Sequence, residues 1–326
     1  MPKFLILRFS SIGDIVLTTP VVRCLKLQAK DAEVHYCTKK RFSSLLERNP
    51  YIDKTILLEE ETSAVIKQLK EERYDYIIDL HHNLRTLYIK QQLGVKSFSF
   101  DKLNLEKWLL VNFKINRLPH VHIVDRYLAT LKSFGVKNDG AGLDYFLSSE
   151  DESALQQLPA EFQRGYIGIV IGARHATKKL PVGKLILLCQ KINRPIVLLG
   201  GKEDFEIAEA IRNAQQTGRD IFNACGKFSI NESAVLVKHA DKIITHDTGL
   251  MHIAAAFKKE IVSIWGNTIP EFGMAPYYGS NHVRSTMIEV KPLSCRPCSK
   301  IGFDECPKGH FKCMMQIDVE KIDALL

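Results

Sequence analysis

A doubly wound α/β fold, built twice in succession, is what this sequence predicts. Short β-branched and aromatic runs alternate with stretches of helical spacing along nearly the whole chain. A polar lapse, SSEDESALQQLPAEFQR at residues 148–164, divides that alternation in the middle. Each half then opens on an apolar strand that ends in a small-residue turn, Ser10 to Gly13 in the first and Gly172-Ala173 in the second. Alternation at this spacing builds βαβ units around parallel sheets, and 326 residues are enough for two cores with a cleft between them. The expected domains are residues 1–150 and 165–315, followed by a last helix at 316–326.

In the first half, strands are expected at Lys3–Arg8, Glu33–Thr38, Lys54–Leu58, Tyr74–Leu80 and Val95–Phe100. Apolar residues at helical spacing fall between them at Asp14–Ala29, Arg41–Glu47 and Glu61–Glu72, and a further helix, Ile123–Phe134, stops at Gly135. In the lapse, Ser-Ser-Glu-Asp-Glu reads as a helix start and Pro159 as a stop, which makes the stretch an interdomain link. The second half repeats the pattern. Strands Tyr166–Ile171, Pro195–Leu199, Asp220–Asn223, Lys242–Thr245 and Glu260–Ile264 alternate with helices Val182–Ile192, Asp204–Gln215, Asn231–Lys238 and Thr248–Phe257.

The composition, 45% hydrophobic and 25% charged with no low-complexity tract, is that of an ordinary globular protein. The net charge of +8 is unevenly placed, with ten Lys and Arg against three Asp and Glu between Arg85 and Lys137. Such an excess suits an anionic partner: a phosphorylated lipid head group, a membrane surface or nucleic acid. Within it, LNLEKWLLVNFKI reads either as a basic amphipathic helix lying on a bilayer or as a core helix whose lysines snorkel from its edge. The opening MPKFLILRFS has too short an apolar run for a signal peptide, and no stretch approaches the ~20 apolar residues of a membrane span. A cytosolic protein, at most peripheral to a membrane, is expected, and its eight cysteines argue against a disulfide framework there.

Open α/β sheets bind ligands at the carboxyl ends of their strands. Asp14, at the mouth of the helix after the first strand, is there either as a cap or as a chemical group. In DKIITHDTGLMHIAAAFKKEIVSIWG, residues 241–266, a strand runs into His246, Asp247, Thr248 and Gly249, with His252 one turn into the next helix. Gly249 admits a ligand close to the backbone, and the helix-start amides suit a phosphate. The turn GARHATKKLP adds Arg174, His175, Lys178 and Lys179 at another strand end, cations that suit a diphosphate. DLHHNLRT, residues 79–86, offers His81, His82 and Arg85 to an anionic acceptor, or is a polar loop. Neither small-residue turn is a GxGxxG fingerprint, which disfavours a dehydrogenase.

SSIGDIVLTTPVVRCLK, GARHATKKLP and above all HDTGLMHIAAAFKKEIVSIWG resemble the hallmark segments of the heptosyltransferases of glycosyltransferase family 9, in the same order and over nearly the whole chain. The resemblance implies the GT-B arrangement, with residues 1–150 binding the acceptor, residues 165–315 binding an ADP-sugar donor, and the last helix returning to the first domain. It implies an inverting transfer of heptose to the lipid A, Kdo or heptose acceptor of the lipopolysaccharide core, at the cytoplasmic face of the inner membrane and with no cofactor. Asp14 matches the family's catalytic base. Lys178 matches its donor lysine, and Gly172, Arg174, Glu206, Asp247, Thr248, Gly249 and His252 fall in the donor site, with Glu206 or Glu203 toward the ribose. Ser10, Gly13, His82 and Arg85 fall on the acceptor side. Leu180 stands where the family often has Trp.

Cys295, Cys298, Cys306 and Cys313 have the spacing of a structural tetrahedral zinc site, and four reduced cysteines packing a loop are the other reading. Two further functions compete with transfer. A sugar-nucleotide epimerase of the same fold would use the donor site without a lipid acceptor. A zinc-containing nucleic-acid-binding protein would use the basic segment, but it leaves Asp14 and the run from Asp247 to His252 unexplained, so no nucleic acid is expected.

Overall fold

The computed structural model describes residues 1–59, 62–215 and 220–326. It divides into two compact units. The first comprises Met1–Leu103, Val121–Phe146 and Tyr277–Asn281, and the second comprises Asn104–His120, Leu147–Pro276 and His282–Leu326.

The first unit is built on a parallel sheet of β1 (Lys3–Leu7), β2 (Glu33–Lys39), β3 (Lys54–Leu58), β4 (Tyr76–Asp79) and β5 (Lys96–Ser99), in the order β3-β2-β1-β4-β5. Central β1 pairs with β2 and β4, and Phe4 to Leu7 are buried, as an apolar strand covered on both faces must be. Leu5, Leu7, Ile56, Leu69 and Ile77 share one core. Phe4, Tyr76, Phe98 and Phe134 meet in edge and stacked contacts elsewhere in the unit. The single helix expected at Asp14–Ala29 is two, Ile12–Val16 and Thr19–Gln28. Pro20 causes the break, because it has no N–H to donate and its ring clashes with a continuing helix. Glu61, the expected start of the third helix, lies outside the described residues, and the helix is seen at Thr62–Glu71.

The second unit is built on β6 (Ile167–Val170), β7 (Ile196–Leu199), β8 (Ile221–Asn223), β9 (Lys242–His246), β10 (Glu260–Trp265) and β11 (Ser285–Glu289), all parallel, in the order β11-β10-β9-β6-β7-β8. Counted from β6, this is the 3-2-1-4-5-6 order of a dinucleotide-type sheet. The order reverses beside β6 and β9 here and beside β1 and β4 in the first unit. The link at 148–164 is two short 3-10 turns, Asp151–Gln157 and Ala160–Arg164, with Ala154, Leu158 and Phe162 buried.

Two expectations about organisation change. Asn104–His120 belongs to the second unit, where Leu110 of helix Asn104–Phe113 is buried with Ile269 and Phe272. The last helix, Val319–Asp323, does not return to the first unit. Val319 and Ile322, one turn apart, are buried in the second unit's core with Leu185 and Leu188 of helix Val182–Lys191, and the Leu325 carbonyl accepts from Lys242 Nζ.

Candidate active site

At the first unit's reversal point, Asp14 both caps and stays available. Ser11 donates to its Oδ2 through the backbone N–H (3.2 Å) and through Oγ (2.8 Å), while Oδ1 pairs with Arg8 Nη2 at 2.7 Å. The carboxylate side chain still keeps 21% exposure. Arg8 is the group that sequence reasoning missed. Its guanidinium is buried and also donates to the carbonyls of Ser10 (2.7 Å) and Leu80 (2.6 Å) and to the Tyr127 hydroxyl (2.9 Å). Burial works against its charge, but Asp14 with Tyr127 and Tyr36 outweighs burial and raises its pKa above the ordinary arginine value. The available signal was a cation closing the apolar run KFLILRF, since a buried charge needs a partner.

Beside this network lies a cavity of about 410 Å³ lined by Phe9, Ser10, Lys39, His81, Asn83, Leu84 and Arg85. Its charged walls are cationic. His81 lies against Phe9, and burial, aided by Arg8 and Lys102, pushes its pKa down to about 4, so its ring is neutral near pH 7. Of the expected acceptor contacts, Ser10 and Arg85 line the cavity; Gly13 is buried inside the first helix and His82 is turned away. The His82 ring bonds the Phe100 carbonyl at 3.0 Å, and its backbone N–H bonds buried Asp79 at 2.7 Å. The segment expected as a possible polar loop continues into helix Leu84–Leu93, capped by Asn83 and closed by Gly94 in the left-handed region. Leu84, Leu87 and Tyr88 lie exposed along it at i, i+3 and i+4.

At the second unit's reversal point, the loops after β6, β9 and β10 are tied together. Lys178 Nζ pairs with Asp247 Oδ2 at 2.6 Å, and Thr268 Oγ1 donates to the same oxygen at 3.0 Å. His246 Nε2 accepts from the Leu180 N–H at 2.9 Å, and burial, then Lys179, lowers its pKa to about 4. Helix Gly249–Ala256 starts at Thr248 with no side-chain cap on its first turn, and His252 is buried inside it. Such a helix start beside a lysine can hold a diphosphate.

Gly172 has a packing reason. A Cβ there would lie 2.3 Å from Asp204 Oδ2 and 3.3 Å from Gly200 Cα. Asp204 is buried, accepts from the Gly201 N–H and pairs with Lys179 at 2.6 Å. Arg174 stands exposed after β6, and Glu206 and Glu203 stand exposed after β7, unlike the buried Asp204 between them.

Among the described residues no group of three His, Cys, Asp or Glu side chains stands in a metal-holding arrangement, though Cys295, Cys298, Cys306 and Cys313 lie near enough to influence one another's charge. Cys295 Sγ lies 3.9 Å from His310 Nε2, and Cys313 is buried, its thiol pushed up to about 11 by burial. The segment also braces the site. Buried Arg296 donates to the carbonyls of Gly266 and Thr268 and pairs with Glu289, while Phe303 exchanges hydrogen bonds with Thr177 beside Lys178.

Two dinucleotide-type sheets, one carrying a positioned carboxylate beside a cationic cavity and the other a lysine at a helix start, define a glycosyl-transfer class of the GT-B fold. Residues 62–303 match the family described as glycosyltransferase family 9 (heptosyltransferase), and the chain belongs to that family. Lipopolysaccharide heptosyltransferase 1 of Campylobacter coli is 28% identical over 290 residues, covering 82% of this chain and 84% of that protein. The glycosyl transferase family 9 structure from Veillonella parvula shares the fold at a TM-score of 0.77 and 22% identity, over 98% of this chain and 95% of that one. The E. coli ADP-heptose lps heptosyltransferase II structure does so at 0.74 and 20%, over 99% and 96%. The chain is a glycosyltransferase, and neither the epimerase nor the nucleic-acid reading is favoured.

Proposed function

We propose that this enzyme transfers a heptose from ADP-heptose to a lipid-linked inner-core acceptor of lipopolysaccharide, with inversion, at the cytoplasmic face of the membrane. Asp14 removes the proton of the acceptor hydroxyl as its oxygen bonds to the anomeric carbon. The bond from that carbon to the phosphate oxygen breaks, and ADP departs with the electron pair. Lys178 and the amides at Thr248 and Gly249 offset the charge growing on the diphosphate, and Asp247 holds Lys178 in place. Gly172, Arg174, Glu206 and His252 complete the donor side in this reading; Ser10, Lys39 and Arg85 hold an anionic acceptor. No step is routed through a metal or cofactor.

The observation that carries the reading is the Asp14 carboxylate, held by Arg8 and Ser11, still partly exposed, next to a cavity with cationic walls. The exposed stripe Leu84, Leu87 and Tyr88 beside that cavity supports an acceptor with an apolar portion. No helix among the described residues is long and apolar enough to cross a membrane, so contact with the membrane in this reading is peripheral. Calorimetric titration with ADP-heptose, ADP, UDP and GDP, followed by mass and NMR analysis of the product on a Kdo-bearing lipid A acceptor, tests it. Binding confined to ADP species and a product of inverted anomeric configuration are expected. Preference for UDP would remove the donor assignment, and Asp14→Asn with near-normal turnover would remove the base.

A further inference from the structure

Helix Asn104–Phe113 carries apolar side chains on both its buried and its exposed sides. One side packs on the protein: Leu110 is buried against Ile269 and Phe272, and Lys107 Nζ sits 6.0 Å from the centre of the Phe272 ring. The opposite arc carries Leu105, Trp108 and Phe113, which are 64%, 52% and 58% exposed, with the Trp108 and Phe113 rings in edge contact at 5.1 Å. The helix thus packs on the protein along one side only. Large apolar side chains grouped on one exposed arc mark a surface that something covers.

The Cys-rich segment adds to the same surface. Lys114 Nζ donates to the Pro297 carbonyl at 2.6 Å, and Lys300 Nζ reaches Asn104 Oδ1 at 3.4 Å, which places exposed Ile301 beside the start of the helix. Residues 104–120 and 291–312 together hold seven Lys and Arg, besides the buried Arg296, against three Asp and Glu. Apolar rings ringed by excess cations complement a bilayer that carries anionic head groups, where indole and phenyl sit at the acyl boundary and lysine and arginine meet the phosphates. Each cation near such a surface strengthens partition roughly fivefold.

We infer that this face, Leu105, Trp108 and Phe113 with Ile301 and the cations around them, docks the enzyme on an anionic lipid bilayer. The inference rests on the lipid-linked acceptor reading and names the surface that brings the enzyme to it.

The chain's two tryptophans make the test direct, because Trp265 is buried and Trp108 is not. The full chain is mixed with vesicles of phosphatidylcholine alone or with phosphatidylglycerol, and sedimentation and tryptophan emission are recorded. Expected are co-sedimentation and a blue shift with phosphatidylglycerol vesicles only, both weakened by salt. Trp108→Ser with Phe113→Ser, and separately Arg117→Glu with Lys300→Glu, should lower the bound fraction at least tenfold and leave transfer to a deacylated, water-soluble acceptor unchanged. An unshifted emission, or variants that bind vesicles as the wild type does, overturns the inference. A wild-type dimer that Trp108→Ser with Phe113→Ser converts to monomer also overturns it, since a second copy then covers the face. Absent transfer to the soluble acceptor in the wild type would instead count against the proposed reaction, whatever the vesicles show.

Discussion

Replacing Arg8 by Met should destabilise the first unit and impair turnover while leaving nucleotide binding intact. Methionine fills much of the same space, so the loss is chiefly that of the guanidinium and its four partners: the Ser10 and Leu80 carbonyls, the Tyr127 hydroxyl and Asp14. Breaking a buried ion pair by removing one member costs about 3–5 kcal/mol. Because Asp14 keeps 21% exposure and water can reach it, the low end, about 3 kcal/mol, is expected. Arg8→Lys retains the charge but cannot span all four partners, and about 1–2 kcal/mol is expected. Urea denaturation reads the stability. Turnover should fall about 10–100-fold in Arg8→Met, since a base displaced by a fraction of an ångström loses its alignment. Without the adjacent cation Asp14 holds its proton more tightly, so the acid limb of the kcat/KM profile should move to higher pH and return in Arg8→Lys. Arg8→Met within 1 kcal/mol of wild type, or an unmoved acid limb, would refute the positioning role.

Lys178→Ala should weaken ADP binding by about 10–100-fold in calorimetry, the range for losing a charge-assisted contact to a phosphate; unchanged affinity would take Lys178 out of the donor site. Gly172→Ala drives a methyl group into Asp204 and should cost about 1–3 kcal/mol, read as a lowered thermal midpoint, without touching Asp14. His246 is neutral in the fold with its pKa depressed to about 4, against about 6.5 unfolded. Its contribution is therefore complete above pH 6.5 and is lost as pH falls from 6.5 toward 4, about 3 kcal/mol in all. His246→Gln, whose amide oxygen can accept from the Leu180 N–H, should flatten that window in denaturation curves taken at pH 7, 5.5 and 4.5. An equal slope in the variant would show that His246 is not the titrating group.

Most strands were legible because a parallel sheet covered on both faces demands short apolar runs, and β1 to β10 lie within two residues of their expected bounds. β11 was not legible: Ser285–Glu289 lies at the sheet edge with Met287 exposed, so no apolar run announces it. Helix Leu84–Leu93 escaped for a related reason, since its apolar stripe faces outward and its buried positions are few. The strand-end positions of Asp14, Lys178 and Asp247 could be read from motif and strand pattern alone. The contacts of Arg8, Lys39 and Thr268 could not, because they depend on which strands are neighbours, and spacing along the chain does not contain that. The same limit misdirected the last helix, whose amphipathic spacing predicts a docking face but not the unit that supplies the partner.

The cysteine segment also has a mechanical part in the second unit's site. Arg296, between the first two of its four clustered cysteines, is buried and holds the Gly266 and Thr268 carbonyls. Thr268 in turn steadies the Asp247 oxygen that pairs with Lys178, and Thr177, one residue before Lys178, is locked to Phe303 at the other end of the same segment. The lysine and its carboxylate are therefore fixed from both sides by one stretch of chain. A loop at a strand end would otherwise be among the more mobile parts of a sheet protein, and a charge meant to meet a developing diphosphate is most effective when it has no reorganisation left to do. In the proposed reaction, such bracing would hold Lys178 ready before the diphosphate charge develops.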